Sequence, residues 1–563
     1  MSIESIIDRK CDPVSSALVT TMESAENTKN IESITMSLNE KFVKLCTNLK
    51  QLQDISRKED NFSTEQKDFI LRAEELLEQY FYEVTISQDQ NVNDVVVLAE
   101  CFISMCYIKL MEDEEPQHEH FIIAECFLSQ SMLLLEDKEL DSNVILVAII
   151  TFNILSYINF KLEYPEKSVK YSYKALELYM SYTKGQDNFP SPIDILTILD
   201  LQVESNTVYL LDRKYMDTLR SLIILKKKEE KVQIDIEKIV MYMHKLLKKQ
   251  LGNIPITINH VSWAIEAIRL AEYFLSCNRF IECKNHLVIA SITMERYYNN
   301  YYKGYAEKSN DKGKCLYTRY KSIISFINTC WVKYGLTLLF LSKKQLLIQE
   351  GKDNFLEANI YKLESTTQSI KQSTGSLMFT CTDEEYQEYI YITEDNCITN
   401  YNDAKLLFVN ILQLLNKIKV DISISDNIYV YTEIAQYISK AYKYLAFYEH
   451  DKINQIKLQK RRIDVLEECL KTLNVEDNEI ACSFIWFELA VINSTIVDIK
   501  IEHLKASKLS PEELVEIDQL VNNSVTYFQL YIKHLVAVEH ALTKGLVDQN
   551  YQFLSILNLT AQV

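Results

Sequence analysis

The chain has 563 residues and a mass of 65.8 kDa, too long for a single compact core, which implies several domains or a repeat array. Only 8 glycines and 7 prolines are present, so the many tight turns of a β-sandwich or β-barrel are excluded. With 60 basic and 79 acidic residues, the formal net charge is −19, which argues against nucleic acid and favours a basic protein as partner.

Almost every long segment has apolar residues at the helical spacing i, i+3, i+4 and i+7. In chain order, this spacing predicts helices over residues 38–56, 65–86, 93–112, 118–136, 141–162, 166–183, 194–211, 215–230, 235–251, 262–277, 280–298, 314–342, 352–371, 382–392, 401–417, 427–449, 452–473, 479–505 and 511–541. Helices joined in pairs by short loops along a long chain are typical of an α-solenoid. We therefore predict an all-α fold, a tetratricopeptide-like right-handed α-solenoid of antiparallel helix pairs.

Two stretches carry the small residues that a tetratricopeptide unit places where its two helices cross. Ala271, Cys283 and Ala290 occupy such positions in one stretch, next to large apolar residues. Ser168 and Ala175 occupy the corresponding positions of the second helix in the other stretch. The spacing supports repeated helix pairs and leaves the number of repeats open.

The pattern divides the chain into five parts: a mobile N-terminal segment 1–37, an N-terminal solenoid half 38–298, a loop 299–313, a C-terminal solenoid half 314–541 and a short C-terminal segment 542–563. Asparagine, aspartate and glycine concentrate in the predicted loop. Residues 366–396 form a further irregular region. Either irregular region could be a functional insertion, but a solvated connector is the expectation for both.

No motif predicts a catalytic or metal site. The closest two glycines, Gly304 and Gly313, are too far apart for a nucleotide-binding loop or a nucleophile elbow. On a helix, His118 and His120 point about 200° apart and cannot share an ion. The sequence has no Asp-Asp pair for magnesium-held diphosphate, and no cysteine has the setting of an activated thiolate. We therefore expect no enzymatic activity, no metal, no cofactor and no small-molecule substrate.

Other conspicuous residues have structural interpretations. The thirteen cysteines are scattered singly, which is typical of reduced, buried thiols. The segment Val144–Phe160 is the most membrane-like, but polar residues interrupt it, so a buried helix is expected instead of membrane insertion. The basic runs at 226–228, 343–344 and 460–462 are interpreted as solvated helix faces, and the tyrosines as fillers of inter-helix grooves.

Several segments, taken in order, resemble the kinesin-binding protein family of tetratricopeptide-like proteins. The resemblance covers about 241–345 and 427–535, and it rests on the order and spacing of the segments more than on any single motif. The segments are His244–Leu251, Trp263–Leu275, Cys330–Leu338, Leu445–Glu449, Lys460–Glu467, Phe487–Lys500 and Tyr527–Leu530.

The resemblance implies a non-enzymatic inhibitor that grips kinesin motor domains and blocks their microtubule-binding face. Control of motors would then affect mitochondrial and vesicle transport, axon growth and mitosis, from a cytoplasmic, cytoskeleton-associated location. In the family, helices of the middle repeats line the concave surface that meets the motor. Carried over by position, this implies kinesin-binding roles for Lys249, Gln250, Arg269 and Glu272. Only Gln250 keeps the expected residue type; Arg269 and Glu272 depart from it.

A second interpretation is a general tetratricopeptide scaffold that docks peptide tails in a chaperone or signalling complex. Scaffolds of the chaperone type hold such tails with a clamp of lysine, asparagine and arginine. No such clamp is identifiable in the sequence, so the motor-inhibitor interpretation is preferred.

Overall fold

The computed structural model describes residues 40–56, 62–87, 90–112, 116–184, 189–201, 206–229, 231–251, 260–303, 311–349, 377–380, 383–393, 397–421, 428–475, 478–504 and 510–543. Over these residues the chain forms 18 α-helices and one π-helical turn, and no strand. They belong to two compact units, an N-terminal unit that includes residues up to 251 and a C-terminal unit that includes those from 260 onward. The all-α prediction is confirmed.

The described residues of the N-terminal unit form nine helices: α1 Glu40–Ser56, α2 Thr64–Ile86, α3 Val92–Leu110, α4 His118–Leu135, α5 Ile145–Lys161, α6 Pro165–Thr183, α7 Ile195–Ile198, α8 Thr207–Lys228 and α9 Ile236–Leu251. Local chemistry fixes their starts. Ser63 and Gln66 form a reciprocal capping box before α2, and Pro165 occupies the first turn of α6, where its missing N–H costs nothing. Consecutive helices pack against each other from α3 to α6, as expected for a solenoid of helix pairs.

The crossing of α5 and α6 confirms one predicted repeat. Ser168 donates to the carbonyl oxygen of Ser156 at 2.7 Å, and the hydroxyls of Ser156 and Ser172 lie 2.7 Å apart. Ala175 is fully buried at the same interface side of α6. Small side chains let the two backbones approach, and the buried hydroxyls are paired with one another. Helix α5 is itself largely buried, as predicted for the segment from Val144 to Phe160.

In the C-terminal unit, the described residues form the other nine helices and the π-helical turn Tyr298–Tyr302: α10 His260–Ser276, α11 Phe280–Tyr297, α12 Asp311–Gln349, α13 Asp383–Glu388, α14 Tyr401–Asp421, α15 Ile428–Tyr448, α16 Lys452–Thr472, α17 Glu479–Leu504 and α18 Pro511–Thr543. Helices α10 and α11 form a hairpin in which the predicted small residues Ala271, Cys283 and Ala290 are buried. Helices α15 to α18 share a second core around Leu466, Ile485 and Leu489.

Helix α12 crosses α14 closely at Gly335. A Cβ built on Gly335 would lie 2.9 Å from the Cδ1 atom of Ile411 on α14 and 3.0 Å from that of Ile392. Both isoleucines are fully buried. Only glycine fits this close approach without displacing its neighbours, which explains a glycine in the middle of a helix.

Three predicted helices have the wrong bounds. The sequence predicts one helix over 194–211 and the next from 215, but α7 ends at Ile198 and α8 runs from Thr207 to Lys228. Asp200 has a φ of 56°, in the left-handed region, which ends the right-handed helix there. The helix predicted over 382–392 ends at Glu388. The predicted loop at 299–313 is shortened at both ends, by the π-helical turn and by α12. The predicted segments 1–37, 352–371 and 542–563 lie wholly or mostly outside the described residues.

Part of the second irregular region is packed into the C-terminal unit, contrary to the expected solvated connector. Phe379 is buried against Trp263 and His286. Its backbone N–H donates to Oδ1 of Asn285 at 2.8 Å, and its carbonyl accepts from Nδ2 of Asn285 at 3.1 Å. The Asn285 side chain therefore satisfies both backbone groups of Phe379, the N–H and the carbonyl, much as a neighbouring strand would.

Helix α18 is tied to α16 and α17 at the surface. Glu516 accepts hydrogen bonds from Lys460 and Lys500, each at 2.8 Å. Those bonds lower the pKa of Glu516, against the opposing effect of partial burial. The charged form of the carboxyl is therefore favoured in the folded chain.

Two helical segments, Leu316–Gln349 and Glu479–Glu502, are long and apolar enough to cross a membrane by length and composition alone. In the fold, 78% and 61% of their most apolar windows are buried against other helices. Packing within the C-terminal unit therefore accounts for their hydropathy.

Candidate protein-binding site

Lys249 and Gln250 lie in the last turn of α9, in the N-terminal unit. Lys249 Nζ is 3.9 Å from Oδ2 of Asp212 on α8 and 5.4 Å from the ring centroid of Phe189. Asp212 is only 4% exposed, and the Tyr179 hydroxyl donates to it at 2.7 Å. The Lys249 ammonium thus has a structural role beside a buried carboxylate, while Gln250 is half-buried at the helix end.

Arg269 and Glu272 lie on α10, in the C-terminal unit. Arg269 Nη1 donates to Oε1 of Glu266, one turn earlier, at 2.7 Å. Glu272 accepts a hydrogen bond from Lys333 on α12 at 2.8 Å. Burial opposes the charge on Lys333, but the Glu272 carboxylate outweighs it, so the pKa of Lys333 is raised. Both predicted residues are half-buried and already hold an opposite charge.

Glu272 and Lys333 lie in a cleft between α10, α12 and α15, with a volume of about 890 Å³. Along α12, the residues that face it recur at one-turn intervals, so a single stripe of that helix forms the floor. The cleft is lined by Glu272, Leu275, Ser276, Asn278, Lys333, Leu336, Thr337, Phe340, Leu341, Lys344, Tyr437, Lys440 and Tyr444. Of the four predicted residues, Glu272 is in this lining.

A buried ion pair lies on the neighbouring helices. Arg462 of α16 donates to Oε2 of Glu488 of α17 at 2.6 Å, and their side chains are 3% and 6% exposed. Arg462 also donates to Gln459 at 2.7 Å and to Ser439 at 3.2 Å. Burial lowers the pKa of Arg462 against the opposing pull of Glu488. The basic run at 460–462 was interpreted as a solvated face, and for Arg462 that interpretation is wrong.

Lys333 and Lys440 are site residues that the sequence did not reveal as such. The spacing of Lys333, Thr337, Phe340 and Lys344 is i, i+4, i+7 and i+11, which does mark one helix face. The same spacing also fits an ordinary solvated stripe. Only the packing of α15 and α10 beside it shows that the face is the floor of a cleft.

The described residues offer little for covalent or metal chemistry. Among them, no group of three or more histidine, cysteine, aspartate or glutamate side chains is arranged to hold a metal ion. Ten cysteines are described as free thiols, and seven of these are buried, as predicted, while Cys126 is exposed. Burial raises the pKa of Cys106 and Cys283, which keeps these thiols protonated and unreactive.

Comparison with known proteins identifies the family. Residues 261–555, more than half of the chain, match the family model described as "KIF-1 binding protein C terminal". The chain belongs to this family. The match includes most of α10 and all of α11 to α18, and so the whole of the cleft.

Curated relatives are named KIF-binding protein. The relative from Drosophila melanogaster is 25% identical over 300 residues, 53% of this chain and 48% of the relative. The human relative is 25% identical over 322 residues, with 53% and 48% covered. The chain thus spans about half the length of the curated relatives it matches. A solved circular tandem repeat protein aligns over 89% of this chain at 11% identity, but its TM-score of 0.16 carries no structural argument.

Proposed function

We propose that this protein is a non-enzymatic kinesin-binding protein that holds motor domains away from microtubules. The observation that carries the proposal is the family match over residues 261–555, together with relatives that are named for binding kinesins. An array of packed helices offers an extended surface for another protein.

Charge gives independent support. Because the microtubule surface is acidic, the surface of a motor that contacts it is basic. A chain with a net charge of −19 attracts the same basic surface and competes for it. Affinity for the motor should therefore fall as the salt concentration rises, and binding that does not change with salt would contradict the electrostatic part of the proposal.

Inhibition of motor attachment is tested by co-sedimentation. A purified kinesin motor domain is mixed with microtubules and a non-hydrolysable ATP analogue, with increasing amounts of the full chain. The proposal predicts that the motor moves from the pellet to the supernatant. In a separate assay with ATP, the chain alone should show no hydrolysis. A motor that still pellets at saturating chain, for every kinesin class tried, refutes the proposal.

The proposed contact residues are Lys249, Gln250, Arg269 and Glu272. Three of them hold intramolecular charge pairs, so single substitutions would combine lost binding with lost packing. A reciprocal exchange, Glu272→Lys with Lys333→Glu, keeps the ion pair and reverses its direction. If Glu272 contacts the motor, the exchange weakens binding while the melting temperature stays near that of the wild type; unchanged binding removes Glu272 from the contact.

The cellular role follows from the same proposal. A cytoplasmic protein that sequesters the motors of the cytoskeleton regulates mitochondrial and vesicle transport, axon growth and mitosis. Depletion in cells should change the distribution of organelles along microtubules. Rescue by the wild-type chain and not by a variant that fails in co-sedimentation would connect the role to motor binding.

A further inference from the structure

The cleft between α10, α12 and α15 has a surplus of positive charge, although the whole chain is strongly acidic. Among the described residues, its lining contains three lysines, Lys333, Lys344 and Lys440, and one acidic residue, Glu272. We call this surface the lysine cleft. Lys343 and Lys443 lie beside it on α12 and α15 and are half-buried. A local basic surface on a protein of charge −19 is opposite to what the overall composition predicts.

The acidic groups near these lysines already have hydrogen-bond or ionic partners. Glu272 pairs with Lys333 at 2.8 Å, and Glu488 pairs with Arg462 at 2.6 Å. Glu433 accepts a hydrogen bond from the Tyr437 hydroxyl at 2.5 Å. Three carboxylates therefore face five lysines and a buried arginine, which leaves the cluster with an excess of positive charge.

The surroundings of three of these lysines, Lys343, Lys440 and Lys443, oppose their positive charge. Burial, together with the nearby Arg462, lowers the pKa of Lys343. Burial also lowers the pKa of Lys440, against the opposing pull of Glu488 and Glu433. For Lys443, burial lowers the pKa, and Arg462 and neighbouring lysines lower it further, although Glu488 opposes them. A negative ligand would relieve this repulsion.

We propose that the lysine cleft binds a short acidic peptide segment of a partner protein. Carboxylates of the peptide pair with Lys344 and Lys440, which are half-buried in the cleft lining, and an apolar peptide side chain packs on Phe340. Phe340 is 36% exposed, and Lys344 Nζ lies 4.7 Å from its ring centroid, so an apolar contact and a positive charge stand side by side. This inference goes beyond motor binding, because its ligand is an acidic peptide, whereas the proposed motor surface is basic.

The shape of the cleft favours a peptide over other anions. Its floor runs from Lys333 to Lys344, eleven residues of helix or about 17 Å at 1.5 Å per residue. That length fits about five residues of extended peptide, and it is far longer than a single phosphate group. A nucleic acid extends beyond the cleft and meets the repulsion of a chain of charge −19.

The test uses the full chain and a fluorescein-labelled peptide with the sequence Glu-Asp-Leu-Glu-Asp-Phe-Glu. Its control is the amide analogue, in which every Glu and Asp is replaced by Gln and Asn. Fluorescence anisotropy should show saturable binding of the acidic peptide that weakens as salt rises, and at least tenfold weaker binding of the analogue. Equal binding of both peptides, or no saturable binding of the acidic one, overturns the proposal.

Two variants with the same total charge assign the site. Lys344→Glu with Lys440→Glu reverses charge in the cleft, whereas Lys405→Glu with Lys471→Glu makes the same change at exposed lysines of the same unit. The first should weaken peptide binding at least tenfold and the second less than twofold, with both chains retaining wild-type helicity by circular dichroism. Equal effects of the two variants overturn the assignment. A single-stranded oligonucleotide that binds more tightly than the peptide, with the same dependence on the cleft lysines, also overturns it.

No motor domain is present in this assay. If the peptide does not bind but the chain still releases motors from microtubules, the proposed function stands and the lysine cleft proposal fails. If the peptide binds but motors are not released, the lysine cleft proposal stands and the proposed function fails. The two proposals are therefore refuted separately.

Discussion

The buried pair of Arg462 and Glu488 makes a sharp prediction about stability. Glu488→Gln keeps the shape of the side chain and removes its charge, which leaves a guanidinium that is 3% exposed without its ionic partner. Removal of one partner of a buried ion pair costs about 3–5 kcal/mol. We expect the midpoint temperature for unfolding of the C-terminal unit to fall by about 5–15 °C.

The neighbouring residue supplies the matched control. Arg461 lies next to Arg462 on α16, but its side chain is 70% exposed and 4.0 Å from the equally exposed Asp464. Such a pair is worth less than about 1 kcal/mol, so Arg461→Ala should leave the transition almost unchanged. The assay is thermal unfolding followed by circular dichroism and by calorimetry, because the two units can unfold in separate transitions.

If Glu488→Gln lowers the midpoint temperature of unfolding no more than Arg461→Ala does, the buried pair does not stabilise the C-terminal unit as described. A double variant shows whether the loss comes from the unpaired charge or from any change at these two positions. Arg462→Met with Glu488→Leu replaces the pair by apolar side chains and should recover most of the lost stability, because neither charge is then left unpaired.

Gly335→Val should destabilise the C-terminal unit by about 2 kcal/mol, since even a Cβ would lie 2.9 Å from Ile411. In urea unfolding, the loss for Gly335→Val with Ile411→Ala should be smaller than the sum of the two single losses, because the smaller side chain relieves the clash. Lys249→Met should lower the free energy of unfolding of the N-terminal unit by about 1 kcal/mol, because it removes a positive charge 3.9 Å from buried Asp212. The same change at the exposed Lys248 should leave the stability unchanged. Glu516→Gln should cost up to about 1 kcal/mol at pH 7. Because the pKa of Glu516 is lowered by folding, its contribution is present above its usual value near 4.5 and is lost as the pH falls through the folded-state pKa. The difference between this variant and the wild type in urea unfolding should therefore shrink toward pH 3.

Helix positions were largely predictable, because apolar periodicity reports which face of each helix is buried. Segments such as 165–183 and 452–472 follow the predicted bounds within a residue. The failure at 194–211 has a local cause, the left-handed conformation of Asp200, and aspartate is common in helices as well as in turns. Periodicity alone therefore cannot locate a single-residue break.

Charge pairs between helices were not predictable. Glu272 and Lys333 are 61 positions apart, and nothing in either neighbourhood indicates the other. Arg462 lies in a basic run and has the sequence context of a surface residue, yet it is buried because Glu488, Gln459 and Ser439 satisfy its donors. Such pairing depends on tertiary packing, which a single sequence does not reveal.

The double hydrogen bond between Asn285 and Phe379 bears on how the C-terminal unit opens. In a solenoid whose helices touch only sequential neighbours, each pair can fray independently from an end. Asn285 and Phe379 are 94 positions apart, so their contact couples α11 to a distant part of the chain. The amide of Phe379 should then exchange with deuterium at the same rate as the amides in the middle of α11, since both become accessible in one cooperative opening.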